Sequence, residues 1–382
     1  MCEGHLVLEA IETENIKFHD KELSTKSNSL NSEEGMFEYA VEEEIKEGLL
    51  ICNDCKVWYP ISNYVPVMLV FSTPFHNHFS RKHHLKLTDG YTFPKWRAMP
   101  GEKKVQETFT EEWNTLKDND LSFVFTKKEL THLHRDVYLQ WPEAPPASVR
   151  EVLNVGCGFG TEAEALSDIL KDAKVFGIDL NFSLLNSGQL FVKNSFVHLV
   201  IASLFHLPFN KSSFDLVYCQ GVLHHTYSTY DAFKNIAAFV KKGGYIFTWV
   251  YALDDHLVNK GILGFFTKLK YLLEKILRPT ISRLPKTLRR ITLFSLSLIF
   301  YVIERSRSRH KEKWKLKNTI HGLYDLFSPR FAYRHSFNEV IEWYENLGFT
   351  FKVHSPATYR KLFGTRLYGI GVLGQKNYTN IE

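Results

Sequence analysis

The chain has 382 residues, 44% hydrophobic and 23% charged, which suits one large domain of an ordinary globular protein plus a smaller module. That balance excludes collagen-like, largely disordered and multispanning membrane classes. A net charge of +5 conceals an asymmetry, because Lys260 to Lys317 holds 16 Lys and Arg against three acids, so one segment is built to meet something anionic or to sit at a surface.

In chain order, residues 1–69 carry two cysteine-bearing ends separated by a polar stretch, KELSTKSNSLNSEE, that reads as a loop. All five cysteines (Cys2, Cys52, Cys55, Cys157, Cys219) are widely scattered, which points to a reducing compartment rather than a disulfide framework. The opening MCEGHLVLEAIETEN lacks a basic region followed by an apolar core, so the expected location is cytoplasmic. Residues 70–148 form a linker and an N-terminal helical segment: aromatic, His-rich and irregular at first, helical in pattern from Glu102, and ending at the breaker run WPEAPPAS. His76, His78, His83 and His84 have no flanking Cys or acids and read as a solvated loop.

Residues 149–255 alternate apolar strands with helical patterns, which predicts a parallel α/β sheet with crossover helices. Cys157 and Cys219 within it are expected to be small core residues. The basic stretch, residues 256–320, has helical spacing interrupted by Pro279 and Pro285. Its most apolar run, ITLFSLSLIFYVI from Ile291 to Ile303, is 13 residues long, whereas spanning a bilayer takes about 20. Residues 321–382 predict a helix, SFNEVIEWYENLGF, and two strands, FTFKVHS and YGIGVLGQK.

The first chemistry lies where Val152-Leu153-Asn154-Val155 turns through Gly156-Cys157-Gly158-Phe159-Gly160 into the helix TEAEALSDIL. Glycines suit a turn where backbone approaches a ligand, and the helix N-terminus offers free N–H groups. The next strand ends at Asp179, about 20 residues on, where an acid can accept both hydroxyls of a ribose. A dinucleotide fingerprint would place its third glycine at Thr161, so pyrophosphate on the helix is not expected.

VLNVGCGFG, GIDLN, SLFHLPFNKSSFDLVYCQGVLHHT and VKKGGYIFTWVYA resemble, in order and spacing, the successive motifs of class I S-adenosylmethionine-dependent methyltransferases, near the ubiquinone and menaquinone C-methyltransferases. The resemblance spans about residues 149–252 and implies an α/β, Rossmann-like seven-stranded sheet with S-adenosylmethionine as cofactor. It places Gly156, Gly158 and Gly160 under the methionine part, Asp179 at the ribose, Ser203 and Leu204 beside the adenine, and Gln220 near the sulfonium. Asn154 stands where the family usually has Asp or Glu, and Ser203 where it usually has Asp. Both can still accept a hydrogen bond, without charge. ETFTEEWNTLKDNDLSF is similar to an N-terminal segment whose aromatics, here Phe109 and Trp113, close over the cofactor. YDLFSPRFAYRHSFNEVIEWY is similar to a stretch before the last crossover helix, with Asp325, Tyr333 and His335 on its polar positions.

Glu47 to Cys55, with Trp58-Tyr59-Pro60-Ile61 and Val65 to Leu69, resembles the second half of the zinc ribbon of the small methyltransferase-activator family, and Cys2-Glu3-Gly4-His5-Leu6 its first half less one cysteine, which implies Cys2, Cys52 and Cys55 as metal ligands; either the fourth is lost, His5 supplies it through a Cys-x-x-His spacing, or the sequence begins too late. A metal-free relic of a ribbon is the alternative. Methyl transfer from a sulfonium mainly needs alignment and exclusion of water. A base is required only if the acceptor loses a proton, and His225, then Tyr251 and His335, are the candidates. The expected acceptor is small, amphipathic or lipid-like, under a helical lid formed by residues 256–320. Arg305, Arg307 and Arg309 would lie at the headgroup level of a membrane touched peripherally. The alternative is an RNA or protein methyltransferase, or a non-catalytic adaptor, that uses ribbon and basic segment for binding.

Overall fold

In the computed structural model, residues 4–18, 40–85, 90–114, 127–139, 146–253, 272–307, 312, 314–353 and 369–377 are described. The Ser/Asn-rich stretch 21–34, Cys2, residues 256–271 and Arg309 lie outside them. The N-terminal module is an antiparallel sheet of β1 (Leu6–Phe18), β2 (Ala40–Cys52), β3 (Val57–Ser62) and β4 (Val65–Pro66), in that spatial order. Asn63 and Tyr64 join β3 to β4 with φ of 48° and 67°, a two-residue turn of left-handed residues whose backbone twist matches the right-handed twist of the flanking strands. Buried Glu47 ties the module together, accepting from Ser62 Oγ (3.0 Å) and pairing with His83 (3.0 Å) and Lys82 (3.2 Å). His83 closes the helix α1 (Pro74–Lys82), where His76 is fully buried. The reading of the four histidines as a solvated loop is therefore corrected for His76 and His83, while His78 and His84 are exposed: Thr73 and Pro74 start a helix whose inner face carries His76 and Phe79 against Trp58.

The helix α2 (Glu102–Trp113) precedes the larger sheet. Its strands are β5 (Glu151–Val155), β6 (Lys174–Asp179), β7 (Val197–Ile201), β8 (Phe214–Gln220), β9 (Val240–Tyr251), β10 (Phe349–Val353) and β11 (Gly369–Lys376), in the order β10-β11-β9-β8-β5-β6-β7. Strands β5 to β9 run parallel and β11 is antiparallel to both β9 and β10. Period-2 alternation feeds two cores. Val152, Leu216 and Tyr218 face one, while Leu153, Val217 and Cys219 face the other. The helix α3 (Thr161–Ile169) covers the first face. The helix α4 (Thr229–Ala237) covers the second. Because order reverses between β5 and β8, their carboxyl ends open a crevice there. The sheet is thus the mixed seven-stranded, Rossmann-like one that the motifs implied.

The two sheets are joined at an edge. Val67 bridges Ile201 of β7, and Met68 N–H donates to Ile201 O at 2.7 Å, so the N-terminal module covers backbone that an edge strand would otherwise expose. The basic stretch forms a helix over 272–281 and the helix α5 (Lys286–Arg307). With the helix α6 (Leu316–Phe327) it buries Ile281, Leu293, Leu323, Tyr324 and Phe327 in a small core of its own. Of the apolar run from Ile291 to Ile303, Leu293 is fully buried, with Leu296 and Phe300 packed beside it. The helix α7 (Phe337–Asn346) completes the second face of the sheet through Val340, Trp343 and Tyr344.

The joint between modules makes one position intolerant. A Cβ on Gly188 would lie 1.7 Å from Asn63 O, so Gly188→Ala forces backbone apart. We expect a loss of about 1–3 kcal/mol in denaturant unfolding, with faster proteolysis at the Asn63–Tyr64 turn than in the wild type.

Candidate active site

Three alternate positions in the turn after β5 hold positive φ: Gly156 (76°), Gly158 (60°) and Gly160 (93°). A side chain there would be strained, and it would also collide, since a Cβ on Gly158 would meet the Trp113 ring at 2.4 Å. The bare turn lets Gly156 and Cys157 N–H both donate to Ile178 O, at 2.8 and 3.0 Å, which pins it to the end of β6. There Asp179 Oδ2 accepts from Gly158 N–H (2.8 Å) and Oδ1 from Asn181 N–H (2.9 Å), while Asn181 Nδ2 donates to Gly158 O (3.2 Å). Burial raises the Asp179 carboxyl, opposed by the hydrogen bonds from Asn181 and Gly158. Each oxygen keeps a lone pair for a further donor.

Both neutral positions where the resemblance expects an acid meet a carboxyl from another element. Asn154 Nδ2 donates to Glu162 Oε2 at 2.6 Å, in the first turn of α3. Ser203 Oγ donates to Glu102 of α2, whose other oxygen accepts from Met99 N–H at 2.8 Å. Sequence reasoning missed Glu102 and Glu162, since nothing local marks either. Asn154 Oδ1 and Asn181 Oδ1 are buried without a hydrogen-bond partner. The loop is therefore surrounded by acceptors and carboxyls, which fits a cationic ligand carrying hydroxyls, such as S-adenosylmethionine, and opposes a pyrophosphate.

The helix α2 lies across this loop. Thr110 accepts from Phe182 N–H (3.0 Å) and its carbonyl from Ser183 Oγ (3.0 Å), fixing α2 to the turn that follows Asp179. Trp113 packs on the glycines, and Phe109 meets His225 edge to face at 5.2 Å. Behind it, Glu112 and His321 Nε2 lie 3.5 Å apart, both buried. Burial pushes Glu112 up, aided by Asp325 and Asp179, and pushes His321 down.

Of the candidate catalytic residues, two come together and one does not. The short turn Leu223–His225 after β8 buries both histidines. His225 Nδ1 contacts Phe331 O at 2.9 Å and Nε2 faces Asp325 Oδ1 at 3.4 Å, while Tyr251 OH donates to Asp325 Oδ2 at 2.8 Å. Burial would raise Asp325, but hydrogen bonding and charge from His225, with the Tyr251 hydroxyl, hold it below the ordinary carboxyl range. Tyr251 is pushed well up by burial and by Asp325, so it stays a donor. His335 stands apart: its ring bonds Thr229 Oγ1 and Glu339, both at 2.9 Å, and braces α4 against α7. Gln220 Oε1 accepts from Tyr218 OH (3.2 Å), which contacts His134 Nδ1 (2.6 Å). The Leu204 carbonyl is held by Asn235. Tyr333 is exposed, and Cys157 and Cys219 are buried thiols raised well up by burial.

For zinc, Cys55 N–H donates to Cys52 Sγ at 3.4 Å in the turn between β2 and β3, and His5 is exposed at the start of β1. Among the described residues no three His, Cys, Asp or Glu come together as a metal site. With Cys2 outside them, the donors present do not make up a zinc site.

Residues 153–248 match the family described as a methyltransferase domain. An uncharacterized protein of Methanocaldococcus jannaschii is 31% identical over 30% of this chain and 46% of its own length. A ubiquinone biosynthesis O-methyltransferase of Thiobacillus denitrificans is 30% identical over 28% and 48%. The chain thus spans about half the length of these curated relatives. A solved complex of the Haloferax volcanii Trm112 methyltransferase activator with a candidate methyltransferase aligns at 12% identity and a TM-score of 0.42, over 73% of this chain and all of that one; a likeness so low bears on nothing further. These relatives do not single out the C-methyltransferase branch.

Glu162 provides a test of the loop in the ligand-free protein. Burial raises its carboxyl to about 8 against an ordinary 4.5, so the folded protein keeps a proton that the unfolded chain has lost. Stability should therefore fall as pH rises from about 4.5 to about 8 and level off above. Glu162→Gln should flatten that fall and raise the melting temperature at pH 8, measured by thermal scans across the range.

Proposed function

We propose that this protein transfers a methyl group from S-adenosylmethionine to an oxygen of a small or amphipathic acceptor. The observation that carries the reading is the glycine turn locked to Asp179 inside a matching methyltransferase domain, ringed by acceptors and carboxyls. When bound, the cofactor supplies a sulfonium methyl that is already activated. Asp179 would hold the ribose hydroxyls, the glycines would lie beneath the methionine part, and Glu102 with Ser203 and Leu204 would face the adenine. Gln220 stands at the sulfonium end, and α2 excludes water through Phe109 and Trp113.

His225 is the base. With Nδ1–H donated to Phe331 O, Nε2 is the nitrogen left to take the acceptor's hydroxyl proton, and Asp325 stabilises the resulting imidazolium. The bound cofactor would supply the methyl group, and His225 would pass the acceptor's proton on to solvent. Tyr251 keeps Asp325 in place, and His335 serves as a strut. An oxygen acceptor agrees with the name of the Thiobacillus relative. Within the lid region 256–320, the described helix α5 and the start of α6 cover the site through their packing on α2.

Calorimetry should show one binding site for S-adenosylmethionine or its demethylated product. Gly158→Val should abolish binding, and Asp179→Asn should weaken it about tenfold or more. Incubation with methyl-labelled cofactor and a lipid extract should label an organic-soluble product. His225→Gln should slow that labelling by about 100-fold or more without changing cofactor affinity. No heat with the intact protein removes the assignment.

A further inference from the structure

Helix α5 has two unlike sides. Its inner side is fixed, with Arg289 fully buried in an ion pair to Glu111 of α2 (2.5 Å), Lys286 beside it (3.2 Å), and Leu293 fully buried. Its outer side carries Ile291, Phe294, Leu298, Ile299 and Val302, each between 50% and 69% exposed. At 100° per residue these five fall on one face opposite Arg289 and Leu293. The preceding helix exposes Ile276 to 57%. An apolar face this continuous and this firmly oriented outward exceeds the scattered exposed apolar residues of an ordinary surface.

We propose that this face of α5 docks on an anionic lipid bilayer, lying in the plane of the headgroups. Charge selects the occupant. Lys275, Arg283, Arg290 and Arg305 are exposed around it, whereas Glu274 is buried against Arg278 and Arg334. A second copy would bring like charge to like, and anionic headgroups bring the opposite. Apolarity on one side only makes α5 an interfacial helix, in keeping with the absence, among the described residues, of any helix long and apolar enough to cross a membrane. The inference does not depend on methyl transfer, because it concerns a surface on the far side of α5 from α2. If both hold, the docked face and the cofactor cover are opposite sides of one packed unit, joined by Arg289 and Glu111.

Flotation of the full chain with vesicles tests this. At low salt it should float with phosphatidylcholine mixed with phosphatidylglycerol and remain at the bottom with phosphatidylcholine alone. The double variant Ile299→Glu, Val302→Glu alters two exposed positions, so its melting temperature should match the wild type while its vesicle affinity falls about tenfold or more. Arg290→Glu with Arg305→Glu should weaken binding comparably through the headgroups. Failure to float with either vesicle overturns the proposal. So does binding that the charge variant abolishes and the apolar variant leaves untouched, or a concentration-dependent dimer, without flotation, that the apolar variant dissociates. Cofactor calorimetry on the same samples keeps a failure here distinct from a failure of the methyltransferase reading.

Discussion

The arrangement of the site depends on a turn in which every second residue carries no side chain. Residues 156–160 must reverse from strand to helix within reach of both Ile178 O and Asp179, and three positive-φ glycines are what let them do so. Without a side chain at Gly158, the turn lets the Trp113 ring lie close against it, and Asn154 and Asn181 keep buried carbonyl oxygens without a hydrogen-bond partner. A Cβ at any of the three would push on Val222, Trp113 or Phe191. These contacts belong to the turn after β8, to α2 and to the segment before β7, so one local geometry holds three separate parts of the chain in register.

The carboxyls around that turn show how a fold can replace what a motif lacks. At the start of the motif Asn154 is neutral, but the helix it feeds returns Glu162 to it from its first turn. At Ser203 the acid comes from α2, about 100 residues earlier in the chain. Glu102 is held by Met99 N–H and by Ser203 together, so its carboxyl reaches the strand ends only when α2 lies across them. Covering the glycine turn and bringing Glu102 to Ser203 are then one event, which ties α2 to the strand ends more closely than its aromatics would alone.

Outside the site, the chain manages two exposed features differently. The β7 edge is capped by residues 67–68, which satisfy its backbone and fasten the N-terminal sheet to the larger one. The outer face of α5 is left apolar although its inner face is locked by a buried arginine. Burying Arg289 beside a single carboxylate, with Nε and Nη1 unsatisfied, costs stability. A protein that needed α5 only as a packed helix would gain from an apolar residue there. The pair instead fixes the orientation of α5 relative to α2.

The parallel sheet, the glycine turn, Asp179 and the carboxyl-terminal helix with its two strands were legible because each is local. Strand periodicity, a Gly-x-Gly-x-Gly spacing and an acid at a strand end are properties of a few adjacent residues. The fall of Cys157 and Cys219 into the core follows from the same alternation. What lay beyond reading were pairings across long separations: Glu102 with Ser203, His225 and Tyr251 on Asp325, Glu111 with Arg289. His335 shows the reverse case, since its sequence neighbourhood matches that of a site residue while its ring is held by Thr229 and Glu339. Likewise the helix around His76 looked like loop because its apolar partner, Trp58, sits on another element. By itself the sequence determined the strands and helices of residues 149–255, the carboxyl-terminal helix with its two strands, and the glycine turn, as those depend on short-range sterics and hydrogen bonding. Which carboxyl serves which position, and which face of α5 meets the core, was decided only when burial brought distant side chains into one low-dielectric volume and each had to find its partner there.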